Sequence, residues 1–187
     1  MGFTRAELLE YRDRTVDDLV GDDCRLLFVG INPGLWTAAT GAHFARPGNR
    51  FYPALARAGI VDRVIDASRG MSEADAELLT GRGIGITNVV ARATATAAEL
   101  TVEEFRDGGR RLRERVREIR PRVVAVAGIT AYRSAFGRRD AVSGRQEEIW
   151  DGAQLWVVPN PSGLNAHETV DSLAAAYREA AVAAGVV

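Results

Sequence analysis

In the stretch Arg25-Leu26-Leu27-Phe28-Val29-Gly30-Ile31-Asn32-Pro33-Gly34 an unbroken apolar run ends on a glycine and passes directly into an Asn-Pro-Gly turn. A short apolar run without alternation is the pattern of a strand covered on both faces, the habit of parallel sheets. The same pattern recurs downstream in Gly83-Ile84-Gly85-Ile86-Thr87, in Val123-Val124-Ala125-Val126-Ala127 and in Gln154-Leu155-Trp156-Val157-Val158. Helical segments separate these runs. Asn49 is placed to cap a helix over residues 50–58 that stops at Gly59, and Ser72 to cap one reaching Leu79. Thr101 and Glu104 form a capping box opening the longest helix, which ends at Arg120 before Pro121. Ile129–Phe136 and Thr169–Ala184 complete the set. Strands alternating with helices predict right-handed crossovers, hence a three-layer α/β/α sandwich around a central, mostly parallel sheet of four or five strands. Residues 35–48 read as a long loop carrying His43 and Phe44, longer than a plain strand-to-helix connection requires. Residues 1–23 read as a helical lead-in to a single domain spanning 1–187.

The 187 residues, 47% hydrophobic, suffice for one substantial core. The formal net charge of −1 advertises no nucleic-acid surface at the level of the whole chain. The chain has no lysine, so Schiff-base chemistry through a lysine is excluded. Cys24 is a small buried filler by its surroundings, and with no partner it points to a reducing compartment. No apolar run approaches a membrane span and the first residues do not resemble an export signal, so the expected location is cytoplasmic, at the nucleoid in a bacterium. His43, His167 and Cys24 do not make a metal-ligand spacing, and no metal or cofactor is expected.

Three of the four strands run into turns bearing an asparagine: Asn32, Asn88 and Asn160. The carboxyl ends of parallel strands open onto one crevice, so a single pocket should hold all three turns. A pocket of neutral amides and backbone N–H groups, without acid or lysine, suits the edge of a nucleobase better than a phosphate or a metal. The first turn lacks a Gly-x-Gly-x-x-Gly fingerprint and contains a proline, which argues against a dinucleotide-binding domain.

Gly30-Ile31-Asn32-Pro33-Gly34, Pro47-Gly48-Asn49-Arg50-Phe51, Gly85-Ile86-Thr87-Asn88, Phe105-Arg106-Asp107-Gly108-Gly109-Arg110 and Asn160-Pro161-Ser162-Gly163-Leu164 occur in that order between about Arg25 and about Arg178. Together they resemble the mismatch-specific uracil/thymine-DNA glycosylase family of the uracil-DNA glycosylase superfamily. The resemblance implies a monomeric base-excision repair enzyme that acts on double-stranded DNA containing a damaged or mismatched base. It would flip uracil, or another lesion, out of the duplex and hydrolyse its N-glycosidic bond to leave an abasic site. Two alternatives stay open: a member tuned to deaminated purines, and a non-catalytic module that binds lesions.

By the same resemblance Asn32 holds the attacking water, and Thr94 either shares that water or closes a local turn. Fast uracil-specific relatives carry Asp where this chain has Asn32, which implies slow turnover. Ile31 and Gly34 border the base, and Phe44 stacks on it. Asn88 either pairs with the carbonyl and N3–H of uracil or is an ordinary turn asparagine after a strand. Thr37 approaches C5, where a β-branched side chain would crowd the methyl of thymine. Ser162, Gly163 and Leu164 resemble an insertion loop with Leu164 as the plug. Close relatives carry an arginine two residues further on. Here that place is Ala166, flanked by Asn165 and His167, both expected from the resemblance to lie against the DNA, and His167 either substitutes for the arginine or is a solvated residue at a helix start. Arg46 and Arg50 are the expected phosphate contacts. Arg110, Arg111, Arg113, Arg115 and Arg117 read as an ion-paired surface, not a DNA track, because Glu114 and Glu118 are interleaved. Trp36 is either a core anchor or part of the pocket wall.

Overall fold

The computed structural model describes residues 2–187. In chain order the elements are α1 (Arg5–Leu9), β1 (Leu26–Gly30), α2 (Leu35–Thr40), α3 (Phe51–Arg57), α4 (Glu73–Gly81), β2 (Ile84–Asn88), α5 (Val102–Ile119), β3 (Val123–Ala127), α6 (Ile129–Phe136), β4 (Gly144–Trp150), β5 (Ala153–Val158) and α7 (Val170–Ala184). The sheet order is β2-β1-β3-β5-β4. All pairings are parallel except that of β4 on β5. The chain leaves β1 toward β2 on one side and returns to β3 on the other, so the switch point lies at β1, where open α/β sheets bind ligands.

The central strands are apolar throughout because both faces are covered. Leu26 and Phe28 of β1 face one cluster with Phe51, Leu55, Leu173 and Tyr177, while Leu27 and Val29 face another with Leu112, Val116, Tyr132 and Leu155. The period-two alternation of a strand thus feeds two cores, and three layers result. Long helix α5 sits unusually close to the turn after β2. A Cβ on Gly108 would collide with the carbonyl of Val89, and one on Gly109 would lie 2.8 Å from that of Ala135.

The sheet falls within the expected four or five strands, and four local details differ from the sequence reading. A fifth strand, β4, closes the sheet edge and returns to β5 through Asp151-Gly152, with Asp151 in the left-handed region at φ 48°. The segment from Leu35 to Gly48 is not all loop, since α2 occupies its first six residues between Gly34 and the left-handed Gly41. The cap of α3 is Arg50, with Asn49 one position earlier and its Oδ1 accepting from the N–H of Phe51 at 2.9 Å. The lead-in is helical only over α1; beyond it Leu19 pairs with Ile86 and covers the outer edge of β2.

Candidate active site

The carboxyl ends of β1, β2 and β5 border one cavity of about 170 Å³, lined by Ile31, Asn32, Pro33, Gly34, Thr37, His43, Phe44, Arg46, Asn49, Asn88, Thr94, Asn160 and Ser162, with Ala95, Thr96 and Ala97 at its side. Pockets for drug-sized ligands measure roughly 300–1,000 Å³, so this cavity fits a smaller object. No carboxylate is among the lining residues, and Arg46 is the one with a full charge.

Asn32 is held more tightly than a turn asparagine needs. Its Nδ2 donates to Thr94 Oγ1 at 2.7 Å and to the carbonyl of Arg92 at 2.9 Å, with Pro33 O at 3.2 Å. Both amide hydrogens are therefore committed, and Oδ1 remains as an acceptor. Thr94 is 1% exposed, and its hydroxyl donates to Thr96 O at 2.8 Å. Its proton closes a local turn, one of the two readings the sequence left open, and its oxygen accepts from the Asn32 amide and anchors it. The Arg92 carbonyl is fixed in turn. The Arg92 guanidinium bridges Asp13 and Glu104 at 2.7 Å each, and this hydrogen-bonded pairing holds the Glu104 carboxyl down to about 2.

Phe44 adopts a left-handed backbone at φ 55°, rare for a bulky residue and a sign that its surroundings over-determine it. One face of its ring stacks on Phe51 at 4.1 Å with planes 23° apart. The ring itself lines the cavity. Asn88 ends β2 opposite Gly30 of β1 and is 8% exposed. A Cβ on Gly30 would lie 2.5 Å from Asn88 Oδ1 and 3.4 Å from the Phe44 ring, so glycine is what lets these two side chains converge. Thr37, from the first turns of α2, is buried against the same cavity.

Sequence reasoning left His43 without a role. It is buried, its Nε2 lies 2.9 Å from the carbonyl of Asp17 and its Nδ1 3.3 Å from Asn88 Nδ2. Burial lowers its pKa below the usual 6.5 and so favours the neutral ring. The one signal available in the sequence was its position next to Phe44. Trp36 turns out to face away from the cavity: its Nε1 donates to Ser68 O at 2.9 Å and Phe3 packs on its ring.

The loop after β5 is braced from inside. Asn160 Oδ1 accepts from the N–H of Ser162 at 3.0 Å. Gly163 passes so near Gly48 that a Cβ would meet its carbonyl at 2.6 Å. Leu164 at the tip is 76% exposed, an apolar side chain held out in water. Arg50 was expected to touch phosphate, but its guanidinium turns inward and donates to the carbonyls of Ser162 at 2.5 Å, Asn165 at 2.7 Å and Glu168. Asn165 was expected to touch DNA and is likewise occupied, donating to Asn160 O at 3.2 Å and accepting from the N–H of His167 at 3.3 Å. His167 and Arg46 are exposed. Of the arginines of α5, Arg113 pairs with Glu148, Arg115 with Asp18 and Arg117 with Asp151, all from other segments, and Arg110 with Asp107 of α5 itself.

Among the described residues no group of three or more His, Cys, Asp or Glu is placed to hold a metal, and no helix is long and apolar enough to cross a membrane. The fold has a close counterpart in the solution structure of a candidate uracil DNA glycosylase from Methanosarcina acetivorans, with a TM-score of 0.61 at 18% identity over 89% of this chain and 97% of that one. The sequence pattern of the Uracil DNA glycosylase superfamily matches residues 18–182, most of the chain. This chain belongs to the uracil DNA glycosylase superfamily.

Proposed function

We propose that the protein is a monofunctional DNA glycosylase of the mismatch-specific uracil/thymine type, hydrolysing the N-glycosidic bond of uracil in double-stranded DNA to leave an abasic site. The observation that carries this reading is the convergence of Asn32, Phe44 and Asn88, from three separate segments, on one small cavity without a carboxylate.

The steps follow from the groups present. A flipped pyrimidine lies on the free face of Phe44, and the Asn88 amide offers one acceptor and one donor to its edge. Asn32 Oδ1, the free end of a side chain whose N–H groups are committed, accepts a hydrogen bond from water and aims the oxygen lone pair at C1′. An amide cannot take the proton at neutral pH, so Asn32 orients the nucleophile without acting as a base. The barrier is lowered at the leaving group: the C1′–N1 bond breaks, uracil departs as an anion delocalised over its carbonyl oxygens and stabilised by backbone N–H groups of Ile31, Asn32 and Gly34, and the water bonds to C1′ and loses its proton to solvent. Turnover is slow because no carboxylate assists. Leu164 fills the gap left in the stack, and Thr37 crowds a 5-methyl group, favouring uracil over thymine. With alanine at position 166, the opposite base is read weakly.

The deciding experiment is Asn32→Ala, assayed on a duplex carrying one uracil with alkaline cleavage of the abasic product. Excision should fall on the order of 100- to 1,000-fold while duplex affinity is retained. A non-catalytic lesion binder would show no excision in the parent protein. Borohydride should trap no covalent adduct, and a trapped adduct would refute the monofunctional reading.

A further inference from the structure

We propose that His43 is a positioning residue that fixes which way round the Asn88 amide faces a bound base, and so makes the cavity read uracil and reject cytosine. The proposal rests on the glycosylase reading of the cavity.

The argument starts at the Asp17 carbonyl, which can only accept. Nε2 of His43, 2.9 Å away, must therefore carry a proton. In the neutral ring Nδ1 is then a bare lone pair, and the group 3.3 Å from it on Asn88 has to be a donor. This settles the amide: Nδ2 toward the imidazole, Oδ1 on the side of Gly30, where a Cβ would lie 2.5 Å away. The reverse orientation would set the Oδ1 lone pairs against that of Nδ1. Oδ1 and the second N–H are left as an acceptor–donor pair, which matches the N3–H and neighbouring carbonyl of uracil. Cytosine presents the opposite pair, a bare N3 and an amino group.

The lock should also respond to pH. The groups facing the imidazole are Asp17 and Asp18 of the lead-in, Arg115 of α5, which is paired with Asp18, the Tyr52 hydroxyl of α3, which donates to the His43 carbonyl, and Asn88 of β2. Asp18 favours the charged ring, and burial opposes it with the larger effect. Charging the ring in acid turns Nδ1 into a donor, and the amide must then rotate to offer Oδ1. The cavity then presents N–H where uracil also has N–H.

The test uses duplexes carrying 2′-fluoro-2′-deoxyuridine or 2′-fluoro-2′-deoxycytidine, each opposite a baseless spacer so that pairing does not enter. The fluorine disfavours positive charge at C1′, so binding is read without cleavage. An abasic duplex serves as the base-free control. The parent protein should prefer the uracil analogue, and His43→Phe should narrow that preference roughly 10- to 100-fold with abasic affinity unchanged. His43→Gln should keep the preference, because its amide can donate to Asp17 and accept from Asn88. It should also abolish the loss of preference that the parent shows in acid, at a pH below the ordinary imidazole range because burial lowers the His43 pKa. A His43→Phe protein that keeps the parental preference overturns the proposal, as does equal weakening toward the abasic control. If His43→Phe does not fold, a His43→Gln protein that retains the parental acid response overturns it. A parent that prefers the uracil analogue yet never excises uracil would sink the glycosylase reading alone, whereas a parent without preference sinks this one.

Discussion

A methyl group on Gly30 would lie 2.5 Å from Asn88 Oδ1, closer than real Cβ contacts come, and would touch the Phe44 ring at 3.4 Å. The backbone there is ordinary strand, so the requirement for glycine is one of space and not of conformation. Gly30→Ala is therefore expected to push the Asn88 amide out of register. The fold should lose about 1–3 kcal/mol from overpacking, and uracil excision should fall roughly 10- to 100-fold from a misplaced amide. Thermal unfolding and single-turnover excision measured on the same preparation separate the two, and excision at the parental rate would show that Asn88 does not read the base. At this scale the sequence showed the asparagines but not what steers them. Asn32 and Asn88 stand out because each follows an apolar strand in a turn. Their partners Thr94 and His43 lie 62 and 45 residues away along the chain, and contacts made by folding leave no periodic trace.

Among the described residues, Leu164 at the tip of the loop after β5 is the most exposed of the large apolar side chains. Arg50 holds its carbonyls and Gly48 backs Gly163, so the loop is braced while Leu164 remains free. A side chain 76% exposed contributes little to stability, and Leu164→Ala should leave thermal unfolding within about 0.5 kcal/mol of the parent. The cost appears when a base must leave a stacked duplex. Excision from paired DNA should fall roughly 10- to 100-fold, as expected when unstacking costs a few kcal/mol, and excision from single strands should not change. Equal loss on both substrates would remove Leu164 from the role of plug. The elements that sequence reading recovered are those whose burial is written in side-chain type, such as β1, β3 and the capped helix α5. Strand β4 escaped because its inward positions Gly144, Gln146 and Glu148 are only half-buried and not apolar, with Trp150 alone buried and Ile149 facing out, so alternation carries little hydrophobic signal. The Asp151-Gly152 pair was the clue available. Helix α2, six residues long, is too short to be stable alone and owes its form to packing beside the first turn.

For the molecule as a whole, charge decides both acid tolerance and the way DNA is gripped. Glu104 caps α5 and pairs with Arg92, whose carbonyl holds Asn32. Its carboxyl titrates at about 2 in the folded chain against 4.5 for the free group. Between those values the unfolded chain binds the extra proton, so this contribution is complete above about pH 4.5 and is lost as pH falls toward about 2. Unfolding midpoints recorded down that range should decline less steeply for Glu104→Gln than for the parent, and parallel curves would contradict the assignment. The formal net charge is −1, Arg113, Arg115 and Arg117 are paired with carboxylates, and Arg46 is the one fully charged side chain lining the cavity. Arg46 is exposed at the cavity rim, on the same side as Ser162 and Leu164. A protein gripping DNA through many phosphates loses affinity steeply with salt, by a slope of about −0.9 per contact in log K against log salt concentration. This protein should show a shallow slope, and Arg46→Ala should make it shallower by about 0.9 while weakening all lesion duplexes alike. Titration of an abasic duplex at several salt concentrations measures that slope directly. An unchanged slope would assign the phosphate contact to another arginine and leave Arg46 a bystander at the rim.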